Sequence, residues 1–197
     1  MGAIVANGPL IKKIYVPKYM FVLSRIFSSS INLLASFTAM IFVMLAMRVE
    51  LHYIVLLAPI PLIFIVFFSL GVGLILSAIT VKFRDIMHLY SVFVTALMYL
   101  TPVIYPMSIL PQWMVYVVWA NPMTPVIYPM SILPEWLKKI VLLNPITNIL
   151  MMFRDVMLNN MLPSIGSILL AAVETAMVMV IGLYVFYKRQ DTFILDI

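Results

Sequence analysis

Four long apolar runs leave this chain few ways to fold. They are Phe21 to Met47, Tyr53 to Val81, Ile86 to Leu100 and Ile165 to Tyr187, and each carries at most one charged residue. A helix of about 20 such residues is long enough to cross a bilayer. Backbone polar groups find no partner in hydrocarbon, so runs of this kind fold as helices. Composition agrees: of 197 residues, 65% are hydrophobic and 10% charged, and mean hydropathy is +1.16. An ordinary soluble domain carries about 25% charged residues and still leaves roughly 30% of its unfolded-chain surface exposed. A soluble enzyme, a nucleic-acid binder and a disordered tail are therefore excluded. The expected fold class is all-α: a polytopic transmembrane protein with about four spans plus re-entrant or interfacial helices.

The runs divide the chain into a basic segment over 1–18, three spans over 19–100, a broken region over 101–163, a last span over 164–187 and a tail over 188–197. Early in the first run, Arg25, Ser28, Ser29, Ser30 and Asn32 predict a side that faces protein rather than lipid. Pro59 and Pro61 open the second run, where a missing backbone donor costs little. No cleavable signal peptide is visible, because no long apolar segment precedes Lys18.

Cation placement predicts orientation. With the N-terminus in the cytoplasm, Lys12, Lys13, Lys18, Arg25, Lys82, Arg84, Lys188 and Arg189 lie inside, and Arg48, Lys138, Lys139 and Arg154 lie outside. Both termini are then cytoplasmic. The net charge of +5 reads as topology rather than as nucleic-acid affinity. Absence of cysteine excludes disulfides, thiolate metal sites and cysteine nucleophiles.

The region from Thr101 to Pro163 holds nine of the thirteen prolines and is apolar and aromatic yet repeatedly interrupted. Such backbone survives at membrane depth only under cover of protein or beside a water-filled cavity. Trp113, Tyr116, Trp119 and Trp136 suit the membrane interface. The region also contains a tandem duplication. Thr101 to Pro111 reads TPVIYPMSILP, and Thr124 to Pro134 repeats it. Over the full 23-residue offset, 15 positions are identical, including Trp113/Trp136, Val118/Val141, Asn121/Asn144 and Pro122/Pro145. One reading is an enlarged gate. The other is a neutral duplication or an assembly fault, and no chemistry here requires two copies.

No catalytic constellation appears. There is no His-Glu-x-x-His, no Gly-x-Ser-x-Gly and no Walker-type loop. His52 and His88 fall at opposite membrane faces and share no metal. Gly71-Val72-Gly73 reads as a close helix-packing point. Glu174 is the one acid deep inside a span. It lines a translocation path or pairs with a cation such as Arg154; alternatively it is a satisfied inter-helix hydrogen bond or a neutral acid. Arg154-Asp155 anchors a re-entrant helix through protein contacts or touches substrate. Arg84-Asp85 is a solvated turn or a docking element. Asn7 to Lys18 is an interfacial anchor or a helix for a groove on a soluble partner.

In this order, four stretches resemble the permease subunits of ABC-2 type exporters, in the branch that exports polysaccharides such as O-antigen, capsule and teichoic acid. They are Asn7 to Lys18 (NGPLIKKIYVPK), Gly71 to His88 (GVGLILSAITVKFRDIMH), Thr101 to Pro111, and Leu143 to Leu158 (LNPITNILMMFRDVML). The resemblance implies a homodimer of permeases that binds two copies of a separate ABC ATPase subunit in the bacterial or archaeal cytoplasmic (inner) membrane. ATP is bound by that partner, and the chain itself holds no cofactor or metal. ATPase coupling would fall to Asn7, Leu10, Ile11, Lys12, Lys13, Pro17 and Lys18, with Arg84 and Asp85 as a second element. A lipid-linked glycan would pass between two permeases along a path lined by Tyr90, Phe93, Tyr99, Tyr105 and Tyr128, because sugar C–H faces stack on aromatic rings. Asn144, Pro145, Arg154 and Glu174 would belong to the gate. Membrane lipid is the other partner, and nucleic acid is none.

Two features depart from the resemblance. The family has six spans, and this chain begins where the second would end, so it reads as N-terminally truncated. The gate turn, single in the family, occurs twice; removing one copy leaves 174 residues. Rival readings are an ABC-2 exporter of drugs or lipids, a non-transporting remnant, and a membrane enzyme, the last disfavoured because no catalytic set converges.

Overall fold

A computed structural model describes residues 17–49, 52–83, 85–102, 107–119, 121, 123–128 and 135–190, together with Ile4 and Phe193. Among them the regular structure is entirely helical. The long elements are α1 (Tyr19–Ala46), α2 (Pro59–Lys82, entered through a 3-10 turn at Tyr53–Leu57) and α3 (Ile86–Tyr99). Short pieces follow: a 3-10 turn at Met107–Ile109, α4 (Gln112–Trp119), α5 (Thr124–Ile127) and α6 (Glu135–Leu142). The chain closes with α7 (Pro145–Met157) and α8 (Ile165–Arg189).

Three stretches are long and apolar enough to cross a membrane: Tyr19–Ala46, Tyr53–Lys82 and Ile165–Arg189. The remaining apolar run differs from the sequence expectation in its reach. It forms a helix of 14 residues with no buried side chain, about 21 Å long at 1.5 Å per residue. A typical hydrocarbon core is about 30 Å thick. Phe83 and Asp85 lie outside helix on one side and Thr101-Pro102 on the other. The proline disfavours helical backbone at the residue before it.

Helix ends follow from local chemistry. α1 stops in a left-handed turn at Arg48 (φ 56°), where Val49 N–H donates to Met44 O and Arg48 N–H to Leu45 O. That pair of bonds satisfies carbonyls a helix end otherwise leaves open. α8 starts at Ser164, whose hydroxyl accepts from Ser167 N–H at 3.0 Å. The polar side chains early in α1 are tolerated because Ser24, Ser28 and Ser30 donate to carbonyls one turn back. Ser29 and Ser30 line an open cleft against Ser69 of α2. Arg25, Ser28, Ser29 and Asn32 are exposed, so most of this polar face is not covered by the described residues, contrary to the sequence expectation.

α2 and α8 form the central pair, and glycine sets their distance. A Cβ added at Gly182 would lie 2.4 Å from Gly71 O, and one at Gly71 would lie 2.8 Å from Val178 O. Backbone therefore meets backbone, the close approach that small residues permit in membrane helices. Three apolar clusters lie along this pair. At one end Val22, Leu70, Leu74, Ala78, Val81, Phe186, Phe193 and Ile4 pack together. In the middle Phe68 and Ala171 meet Ile149 and Met152 of α7. At the far end Met44, Ile54 and Ala58 meet Val156 and Met157.

The two ends differ in charge. Where α1 begins and α2 and α8 finish, Lys18 donates to Gln190 O and lies 5.7 Å over the Phe193 ring. Lys82, Lys188 and Arg189 occupy the last turns of α2 and α8. α7 and the start of α8 occupy the opposite end, beside the 3-10 entry to α2.

The glycine seam yields a paired expectation. Gly182→Ala forces a methyl into the Gly71 carbonyl and is expected to destabilise by about 1–3 kcal/mol, the usual penalty of overpacking. Gly73→Ala meets only side chains, Ile26 at 3.4 Å and Val22 at 3.7 Å, and is expected to be near neutral. Thermal unfolding of both variants in detergent checks this; equal melting temperatures would remove the seam from the account.

Candidate functional site

The broken region is built on α7. Asn144 caps that helix: its Oδ1 accepts from Ile146 N–H at 3.1 Å, and Pro145 takes the first helical position. Both choices fit a helix start, since the cap satisfies a free donor and proline lacks one. Thr147, Asn148, Ile149, Met152, Val156 and Met157 are buried against the spans. α7 is thus a 13-residue helix held on protein and too short to cross a bilayer by itself.

Its polar tie to the spans is Asn148. The Nδ2 of Asn148 lies 3.0 and 3.1 Å from the two carboxylate oxygens of Glu174 on α8, and 3.0 Å from Leu142 O at the end of α6. Both side chains are buried, each 9% exposed. The hydroxyls of Thr147 and Thr175, one residue away on each helix, are buried without a hydrogen-bond partner among the described residues. A polar node therefore sits inside an otherwise apolar interface. Of the sequence readings for Glu174, the inter-helix hydrogen bond is the one observed. The pairing with Arg154 is not.

Arg154 turns elsewhere because it lies six residues on, in the last turn of α7. Its guanidinium donates to Pro125 O at 3.1 Å and so holds α5, the start of the second repeat copy. Its neighbour Asp155 accepts from Asn159 Nδ2 at 2.7 Å. Arg154 thus ties α7 to α5, whereas the Asp155 side chain bonds locally, four residues on.

The aromatic candidates separate. Tyr90, Phe93 and Tyr99 are exposed on α3. Tyr128 instead packs beside Trp119, and its hydroxyl accepts from Met107 N–H at 3.4 Å. Trp119 corrects the interfacial expectation: it is 2% exposed and enclosed by Met107, Val115 and Tyr128. Trp113 and Trp136, equivalent positions in the repeat, are exposed at 64% and 57%. Trp136 lies 5.9 Å from Tyr116, ring to ring. It sits on α6 with Lys138 and Lys139, an amphipathic segment suited to a membrane surface.

At the basic end, Pro17 accepts from Met20 N–H as α1 begins, and Lys18 ties α1 to the end of α8. Asp85 stands immediately before α3, where its carbonyl accepts from His88 and Leu89 N–H. Asn7, Leu10, Ile11, Lys12, Lys13, Arg84 and Tyr105 lie outside the described residues. Sequence reasoning missed Asn148, Asn121 and Pro125. A signal for Asn148 existed: it lies one turn after the cap Asn144, at the i+4 spacing that shares a helix face.

The architecture is that of a polytopic membrane protein with a broken helical region packed on its spans. Comparison with known families makes the class specific. The ABC-2 type transporter family model matches residues 10–128, and the chain belongs to this family. A more distant likeness is to the O-antigen export system permease protein RfbA of Klebsiella pneumoniae, 27% identical over 118 residues. The aligned part is 58% of this chain and 44% of that protein, so the chain spans less than half of the curated relative's length.

Two outcomes test the site. Asn148→Leu leaves the Glu174 carboxylate buried without its donor and is expected to destabilise by about 1–3 kcal/mol. Adding Glu174→Leu removes both partners and is expected to recover part of that loss; additive losses in the double-mutant cycle would mean the contact carries no coupling. Separately, variants keeping one of the three tryptophans in vesicles of brominated lipid should show quenching at Trp113 and Trp136 and little at Trp119.

Proposed function

We propose that the chain is the permease part of an ABC exporter that moves a lipid-linked polysaccharide across the cytoplasmic membrane, driven by ATP bound on a separate subunit. Family membership carries the transport role, and the relative named as an O-antigen export permease supports the glycan class. The observation that carries the mechanism is the separation of two unlike ends. Cations Lys18, Lys82, Lys188 and Arg189 gather at one end. The broken region with α7 gathers at the other.

In this reading the basic end faces the cytoplasm, where positive charge is favoured. The segment from Asn7 to Lys18 and the turn at Arg84-Asp85 receive the ATPase. Lys18 joins that segment to the α8 terminus, so force applied there reaches the central α2–α8 pair. The pair carries Glu174, which holds Asn148 near its middle and so ties α7, whose last turn reaches the far end. Two permeases form the path between them, and the broken region with Asn144, Pro145 and Arg154 forms its outer gate. The exposed rings of Tyr90, Phe93 and Tyr99 offer stacking surfaces to a sugar.

Co-expression with a candidate ABC ATPase subunit, followed by purification in detergent, tests the coupling. The wild-type chain is expected to retain the ATPase, and Lys12→Glu/Lys13→Glu/Lys18→Glu to lower its recovery at least tenfold. Equal recovery would place coupling elsewhere. Loss of surface glycan on deletion of the gene supports the substrate class, whereas altered drug sensitivity with intact glycan would overturn it.

A further inference from the structure

The two copies of the repeated turn have different surroundings. Pro125, in the second copy, is held through its carbonyl by Arg154 of α7. Met107, in the first copy, is held by the second: its N–H donates to the Tyr128 hydroxyl, and it packs with Val115 and Tyr128 around Trp119. The chain between the copies leaves and returns at one side chain. Asn121 Nδ2 donates to Leu97 O at 2.9 Å and to Thr101 Oγ1 at 2.8 Å, where the segment departs from α3. Thr124 N–H donates to Asn121 O at 3.1 Å, where the segment comes back to begin α5. Thr124 Oγ1 closes on Val118 O at 2.6 Å. Asn121 is 2% exposed, so water does not compete for these bonds.

We infer that the 23-residue unit beginning at Thr101 is an insertion stapled at its base by Asn121, whose described residues also reach the chain beyond it through Tyr128 and Trp136, and that the spans and α7 fold without it. Three observations support this. The Asn148–Glu174 tie and the α2–α8 seam involve no described residue of the unit. α3 has no buried side chain, so its end shifts at small cost to meet Pro125. The eleven-residue identity makes excision unambiguous: removing any 23 residues that begin between positions 101 and 112 leaves the same chain, Leu-Thr-Pro-Val-Ile-Tyr-Pro-Met-Ser-Ile-Leu-Pro-Glu-Trp across the joint. The remaining turn supplies the prolyl carbonyl for Arg154. A shorter connection also lowers the entropy of loop closure.

The test uses the full chain and the chain lacking residues 102–124, each carrying Phe37→Cys and Phe153→Cys. These rings sit 6.1 Å apart, one on α1 and one on α7, and the natural chain has no cysteine to compete. A short bis-maleimide is expected to link the pair in both chains with yields within twofold. In the full chain, Asn121→Ala is expected to keep that link while raising protease cleavage within 102–124 at least fivefold. Aggregation of the excised chain, or loss of its link while the full chain retains it, overturns the inference. Loss of the link in Asn121→Ala overturns it equally, because the unit would then be part of the support of α7.

Discussion

Contact of backbone with backbone at Gly71 and Gly182 sets the position of everything else. Lipid tails are as apolar as leucine, so membrane helices gain little from burying apolar surface against each other. Their association rests on close packing, and glycine permits the closest. With α2 and α8 held at that distance, one face of the pair receives α1 and another receives α7. Glu174 projects from α8 where α7 must cross, and Asn148 is the residue of α7 that meets it. A wider seam would carry the carboxylate away from its donor.

The broken region follows a second constraint, that backbone interrupted at membrane depth must find partners within the protein. Three of its breaks have one among the described residues. Asn144 caps α7, Asn121 closes the joint between α3 and α5, and Arg154 takes the carbonyl of Pro125. Asn121 and Asn144 are equivalent in the repeat and do the same local work: each accepts through Oδ1 from the N–H two residues on. Their amide nitrogens then diverge in use, because only Asn121 has the end of α3 beside it. Duplication copied the turn and left tertiary contacts to differentiate the copies.

Much of the fold was legible because length and hydropathy act locally. α1, α2 and α8 begin and end within a few residues of the apolar runs, and the Asn-Pro start of α7 is a short-range signal that needs no partner. The stretch from Ile86 showed the limit. Its apolarity read as a span, yet a helix of 14 residues between two breaks lacks the reach. Candidate residues were legible by type and not by partner. Trp113, Trp119 and Trp136 carry the same ring, and only the enclosure by Met107, Val115 and Tyr128 makes Trp119 a core residue.

The sequence by itself determined that this is a helical membrane protein with a basic end, a proline-broken region and one intramembrane acid. Those properties follow from solvent: hydrocarbon demands helices, water takes the charges, and proline interrupts wherever it falls. Only the tertiary structure decided which groups meet. Glu174 found Asn148 rather than Arg154, and Arg154 found a carbonyl in the second repeat copy. Those choices depend on how far two helices approach and in what rotation. Side-chain packing over distant parts of the chain sets both, and no local spacing encodes them.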